Sequence, residues 1–133
     1  MKKIVVLNYG IGNVRSVSNA LRAIGAEAKV TCDEQSIAQA DSLIIPGVGA
    51  FPKGMANLIE SGLIGIIHKF IDSGRPVLGI CLGMQLLFER GTEYQMTKGL
   101  SLISGSVDII PIKPEDGRLP HIAWSTINPT EIG

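Results

Sequence analysis

The chain has 133 residues, with 12 Lys plus Arg balancing 12 Asp plus Glu, and is 45% hydrophobic and 18% charged. That length fits one domain and that composition excludes a disordered chain, while zero net charge offers no electrostatic case for a nucleic-acid or anionic-membrane partner. The charged share falls below the usual quarter of a globular domain, so some apolar surface is expected to await a partner.

Met1-Lys2-Lys3 leads into a first strand, Lys3 to Asn8. Its apolar run, Ile4 to Leu7, is too short for a signal-peptide core, and no run approaches the ~18 residues of a membrane span, so a cytoplasmic protein is expected. Asn8-Tyr9-Gly10-Ile11-Gly12-Asn13 begins like a dinucleotide fingerprint, but Arg15 occupies the third glycine position, which argues against a nucleotide cofactor. Val14, Val17, Leu21 and Ile24 share one helix face, and Gly25 stands where a left-handed cap is wanted, predicting a buried amphipathic helix. Further strands are read at Ala28 to Thr31, Ser42 to Pro46 and Pro76 to Ile80. Leu63, Ile66, Ile67, Phe70 and Ile71 carry a second helical pattern that Ser73-Gly74-Arg75-Pro76 ends, and His68, off its apolar face, is expected at the surface. Beyond a helical stretch at Met84 to Phe88 comes a polar segment, Glu89 to Lys98. Two more strands are then read at Ser106 to Ile112 and Ile122 to Ile127, joined by a turn at Pro114 to Gly117. The alternation predicts an α/β fold: an open, mostly parallel sheet with helices on both faces. For such a domain, an end at Gly133 directly after a strand is abrupt.

The strongest local signal is Gly79-Ile80-Cys81-Leu82-Gly83, a strand running straight into a helical stretch. Gly-x-nucleophile-x-Gly at such a junction is the nucleophile elbow, whose glycines relieve crowding around a sharp turn that presents the central side chain. A helix starting there directs its unsatisfied N–H groups and positive dipole end at the sulfur, a setting that favours a thiolate and an oxyanion. Pro46-Gly47-Val48-Gly49-Ala50-Phe51 is a glycine-rich loop at the C-terminal end of the third strand. Loops at that edge of an open sheet converge on one crevice, so its backbone N–H groups are candidates to complete an oxyanion hole. Cys32 has no such setting and is expected to be a small buried hydrophobe. With two cysteines and two histidines far apart in the chain, neither a disulfide framework nor a metal site is expected.

Gly79 to Gln85 resembles the nucleophile motif of the class I (triad) glutamine amidotransferases. The segments Asn8 to Val17, Pro46 to Phe51 and Gln85 to Glu89 are similar to one branch of that family, the glutaminase subunits of imidazole glycerol phosphate synthases, and the likeness runs from residue 1 to about Trp124. The resemblance implies a flavodoxin-like fold and a glutaminase in histidine biosynthesis. In it Cys81 attacks the side-chain amide of glutamine, and the Leu82 N–H with one from the Val48-Gly49 segment holds the oxyanion. Gly47 and Gln85 contact the substrate. The resemblance also implies a partner, a (β/α)8 barrel cyclase subunit that receives the ammonia, met through Asn13, Ser16, His121 and Trp124.

The family's catalytic His-x-Glu pair is missing from this sequence. His121 belongs instead to Pro120-His121-Ile122-Ala123-Trp124-Ser125, similar to the family's Pro-His-x-Gly-Trp-Asn interface motif, with Ala123 and Ser125 departing from it. Residues 1–133 are therefore expected to be the N-terminal portion of an amidotransferase domain, inactive alone. Two other readings stay open, a paralogue feeding another synthase, as in amino-sugar synthesis, and a catalytically dead amidotransferase-like binding module.

Overall fold

The computed structural model of the chain describes residues 2–111, 122 and 124–129. In chain order the elements are β1 (Ile4–Leu7), α1 (Val14–Ala23), β2 (Ala28–Thr31), α2 (Glu34–Ala38), β3 (Ser42–Gly47), α3 (Phe51–Glu60), α4 (Ile64–Asp72), β4 (Val77–Cys81), α5 (Leu82–Gln85), β5 (Phe88–Gly91), β6 (Thr97–Lys98) and β7 (Ile103–Val107). The first four strands form a wholly parallel sheet in the order β2-β1-β3-β4, and β6-β5-β7 make a smaller sheet beside it. The four strands expected here are therefore present, with ends shifted by a residue or so.

Strand order and handedness place the helices. The step from β1 to β2 runs in the opposite sense from the later steps to β3 and β4, so right-handed crossovers put α1 on one face and the following helices on the other. Burial agrees. Val5, Leu7, Leu43 and Ile45 pack with Ile37 of α2, Met55 and Leu58 of α3, and Ile67 and Phe70 of α4 in one core. Val6 and Ile44, which alternate to the opposite face, are buried outside that cluster, on the side of α1. Farther along that face the cover thins, and Leu78 of the edge strand β4 is 56% exposed.

Arg75 locks the junction into β4. Its Nη1 donates to the carbonyls of Ala38 (2.8 Å) and Ala40 (2.7 Å), its Nε to Ser73 Oγ (2.6 Å), and its guanidinium lies 4.0 Å over the Phe70 ring. These bonds satisfy carbonyls at the end of α2 that no helical N–H reaches.

Several expectations are corrected. The helix α1 is not buried: Val14, Val17 and Leu21 are half-buried and Ile24 is 78% exposed, because α1 packs against β1 and the edge strand β2 and nothing described covers its far end. Gly25 does take the left-handed cap, with φ +76°. Cys32 is exposed, because it follows the edge strand and precedes Asp33, which caps α2 in the open. The helix after the elbow ends at Gln85 instead of Phe88. The carbonyls of Leu86, Leu87, Phe88 and Glu89 accept N–H groups from residues 99–103, which pulls the chain into β5. The polar segment Glu89 to Lys98 accordingly holds most of β5 and all of β6.

The strand read at Ser106 to Ile112 is β7, which begins at Ile103 and stops at Val107. There Asp108 accepts from the hydroxyls of Thr92 and Ser106, and those side-chain bonds replace the ladder. Ile122 and residues 124–127 form no strand and are exposed, so the strand read there is not present among the described residues. The turn at Pro114 to Gly117, and Ile112 and His121, lie outside them.

Candidate active site

Cys81 ends β4 and is the N-cap of α5, with φ +55° and ψ −119°. That backbone belongs to glycine, and a non-glycine residue holding it stores on the order of 1–3 kcal/mol. The sequence selects it by closing off alternatives on both sides. A Cβ at Gly79 would come within 2.5 Å of Met84 Cα, and one at Gly83 would fall on the Ile45 carbonyl oxygen. Only two glycines in register let α5 press against the backbones of β3 and β4 tightly enough to force the turn at Cys81. The side chain is exposed.

Three loops converge on this point. In the parallel register Gly47 sits directly beside Cys81, so the Pro46 to Phe51 loop leaves β3 next to the thiol. A Cβ on Gly47 would approach Gly83 N to 2.6 Å and Tyr9 Oη to 2.8 Å, which makes this glycine the contact point between the loop, the elbow and the segment after β1. A Cβ on Gly12 would likewise come within 3.3 Å of the Pro46 carbonyl carbon. The motif that fails as a nucleotide fingerprint is thus a wall of the same site. Beyond Gly47 the loop opens: Val48 is 53% exposed, and Gly49 takes φ +95° with nothing near its Cβ position.

On the elbow side, Leu82 is buried and Gln85 half-buried at the end of α5. Leu82 and Gly83 occupy the first turn, where backbone N–H groups have no partner inside the helix, so they are the donors next to the sulfur. The field at the sulfur is that of one turn of helix, smaller than the longer helix expected from the sequence would supply.

Asn13 and Ser16 are both exposed, and they are joined to each other: Asn13 is the N-cap of α1 and its Oδ1 accepts the Ser16 N–H at 3.1 Å. Trp124 is fully exposed. Among the described residues the histidine is His68, half-buried on α4, where it lines a cleft of about 350 Å³ with Met55, Ile59, Lys98 and Leu100. No group of three or more His, Cys, Asp or Glu side chains able to hold a metal occurs among those residues, and none of their helices is long and apolar enough to cross a membrane.

Two residues of the site escape sequence reasoning. Tyr9 is buried at 3% exposure, and its hydroxyl donates to the Pro46 carbonyl at 2.7 Å; burial pushes that hydroxyl up to about 12. Glu93 Oε2 accepts the Phe51 N–H at 2.9 Å. Tyr9 lies within a motif but carries no spacing signal for such a bond. Glu93 is 42 residues from its partner, beyond the reach of any local pattern.

A family model described as glutamine amidotransferase class-I matches residues 5–118. The imidazole glycerol phosphate synthase subunit HisH of Lactococcus lactis subsp. lactis (strain IL1403) is 47% identical over 128 residues, covering 96% of this chain and 62% of the relative. The subunit of the same name from Symbiobacterium thermophilum is 49% identical over 130 residues, covering 97% of this chain and 59% of the relative. The chain thus spans about three fifths of the length of these relatives. A solved glutamine amidotransferase shares the fold at a TM-score of 0.66 and 24% identity, covering 78% of this chain and 55% of its own.

Proposed function

The chain belongs to the class-I glutamine amidotransferase family, and on that premise we propose that residues 1–133 are the nucleophile-bearing part of a glutaminase domain of imidazole glycerol phosphate synthase. The observation that carries this reading is the strained, exposed Cys81 at the elbow, with Gly47 of the glycine-rich loop directly beside it. Relatives bearing the synthase-subunit name at 47% and 49% identity support the choice within the family.

In this reaction Cys81 Sγ, as thiolate, attacks the side-chain amide carbon of glutamine. The carbonyl electron pair moves onto oxygen, where the Leu82 N–H and an N–H from the Val48-Gly49 segment stabilise it. Collapse expels the amide nitrogen, which leaves as ammonia once protonated, and a γ-glutamyl thioester remains on Cys81. Water then cleaves the thioester to glutamate and regenerates the thiol. Gly47 and Gln85 line the pocket for the glutamine. The ammonia passes to a (β/α)8 barrel cyclase subunit docked against Asn13, Ser16, His121 and Trp124, with the Asn13 cap holding the start of α1 at that surface. A cytoplasmic setting, expected from the sequence, is part of this proposal.

Proton transfer sets the limit on what this chain does alone. General acid–base assistance contributes ~10²–10⁴-fold to such a reaction, and neither His68 nor His121 is followed by the x-Glu of a family base pair. The 133-residue chain is therefore expected to release no glutamate from glutamine, with or without a cyclase, while Cys81 still reacts with a glutamine-like electrophile. Mass spectrometry after incubation with a glutamine chloroketone tests the second half, and a coupled glutamate assay the first. Cys81-dependent glutamate release would overturn the assignment of the missing base, and an unreactive Cys81 would favour a binding module.

A further inference from the structure

The Gly47 to Ala50 loop contains two glycines, a half-exposed valine and an alanine, and a Cβ built on Gly49 in its middle would meet nothing within 4 Å. Its two ends are held instead. At the near end the buried Tyr9 hydroxyl donates to the Pro46 carbonyl at 2.7 Å, and Asn57 Nδ2 in turn donates to the Tyr9 carbonyl at 3.1 Å, fixing the tyrosine to α3.

At the far end α3 starts at Phe51, and its N-cap, Ala50, has no side-chain acceptor to offer. The missing acceptor comes from the β5–β6 turn. There Gln95 N–H bonds back to the Glu93 carbonyl at 2.7 Å around a left-handed Tyr94 (φ +60°), and Glu93 Oε2 takes the Phe51 N–H at 2.9 Å. The same hairpin grips the Phe51 ring, which is 1% exposed. A Cβ on Gly91 would come within 2.6 Å of that ring, and one on Gly99 within 3.1 Å.

We propose that Tyr9 and Glu93 are positioning residues that tether the two ends of the Gly47 to Ala50 loop, Tyr9 through the Pro46 carbonyl and Glu93 through the Phe51 amide. The tether keeps the Val48-Gly49 backbone opposite Cys81, and the β5–β6 hairpin thereby supports the oxyanion-binding side of the site. Its catalytic consequence rests on the glutaminase reading; its geometry does not.

The test uses the intact chain with Cys32→Ser, which removes the other exposed thiol. Three quantities are measured: the alkylation rate of Cys81 by a glutamine chloroketone, whose carbonyl must enter the oxyanion loop; its rate with iodoacetamide, which needs only a reachable thiol; and amide exchange at Phe51. In Glu93→Ala and Tyr9→Phe the chloroketone rate is expected to fall roughly tenfold while the iodoacetamide rate stays within about twofold. Glu93→Gln, whose side-chain carbonyl still accepts the N–H, should stay within about twofold of wild type on both. Phe51 exchange should quicken about tenfold in Glu93→Ala and not in Glu93→Gln. An unchanged ratio of the two alkylation rates in both Glu93→Ala and Tyr9→Phe overturns the proposal, as does a loss in Glu93→Gln equal to that in Glu93→Ala. If wild type shows no preference for the chloroketone, the glutaminase reading fails and exchange alone decides the tether. In that case a Phe51 amide that quickens only in Glu93→Ala supports it, and one unchanged in Glu93→Ala overturns it.

Discussion

Replacing Cys81 by glycine should make the protein more stable, and comparison with Cys81→Ala isolates the reason. Alanine keeps the Cβ that crowds a backbone at φ +55°, ψ −119°, whereas glycine removes it. Neither variant loses a cap bond, because the Cys81 side chain makes none, and neither loses much burial, because that side chain is exposed. The strain relieved is on the order of 1–3 kcal/mol. Against it stands the extra freedom glycine gives the unfolded chain, about 0.4–1 kcal/mol. The net gain of Cys81→Gly over Cys81→Ala is therefore about 0–2.6 kcal/mol, or about 0–9 °C in Tm for a chain of this length. Thermal and urea unfolding of the two variants side by side give the difference directly, with the urea slope checked for constancy so that a midpoint shift reports stability. A Cys81→Gly variant that melts about 1–4 °C below Cys81→Ala, the full unfolded-state term with nothing to offset it, would show that the elbow stores no strain, and the link between its two glycines and a forced turn would fall with it.

Other substitutions and conditions test the remaining contacts. Gly83→Ala, whose Cβ would fall on the Ile45 carbonyl, should cost more than about 3 kcal/mol or abolish soluble expression, while Gly49→Ala, strained in φ but open in space, should cost about 1–2 kcal/mol by urea unfolding. Arg75→Ala orphans the Ala38 and Ala40 carbonyls and should lower stability by about 1–3 kcal/mol, with Arg75→Lys recovering only part of it. The Tyr9 hydroxyl is raised from 10.0 to about 12 in the folded protein, so its contribution is complete below pH 10 and is lost as pH rises from there toward 12. That loss amounts to at most about 3 kcal/mol, and Tyr9→Phe should flatten the alkaline limb of a stability-versus-pH curve. Asp33 is held below the usual carboxylate range by Ser36, whose Oγ and N–H both donate to it. Its stabilisation is therefore present above the ordinary value of 3.8 and lost as pH falls below it, and Asp33→Ala should show a smaller drop in urea midpoint between pH 5 and pH 3 than wild type.

What the amino-acid sequence determined by itself is whatever is written in short range. The apolar pair Val77-Leu78 followed by Gly-x-Cys-x-Gly specifies a strand, a forced turn and a presented thiol within a few residues, and the four parallel strands carry their own apolar signatures. The likeness of Gly79 to Gln85 and Pro46 to Phe51 to the amidotransferase motifs is short-range in the same sense. Tertiary structure decided the rest, wherever a backbone group could bond to a near or a distant partner. The helix after Cys81 is one turn long, and directly past it the carbonyls of Leu86 to Glu89 accept N–H groups from residues 99–103, partners that no local pattern records. Cys32 is exposed and Ile24 uncovered because β2 lies at the sheet edge, and no pattern within those segments records which strand is outermost. Glu93 reaches Phe51, and Tyr9 reaches Pro46, across 42 and 37 residues. A local motif places the Cys81 thiol, but the ends of the loop beside it are bonded to side chains that only the folded chain brings near, because such a bond depends on where two elements pack and not on either one's sequence.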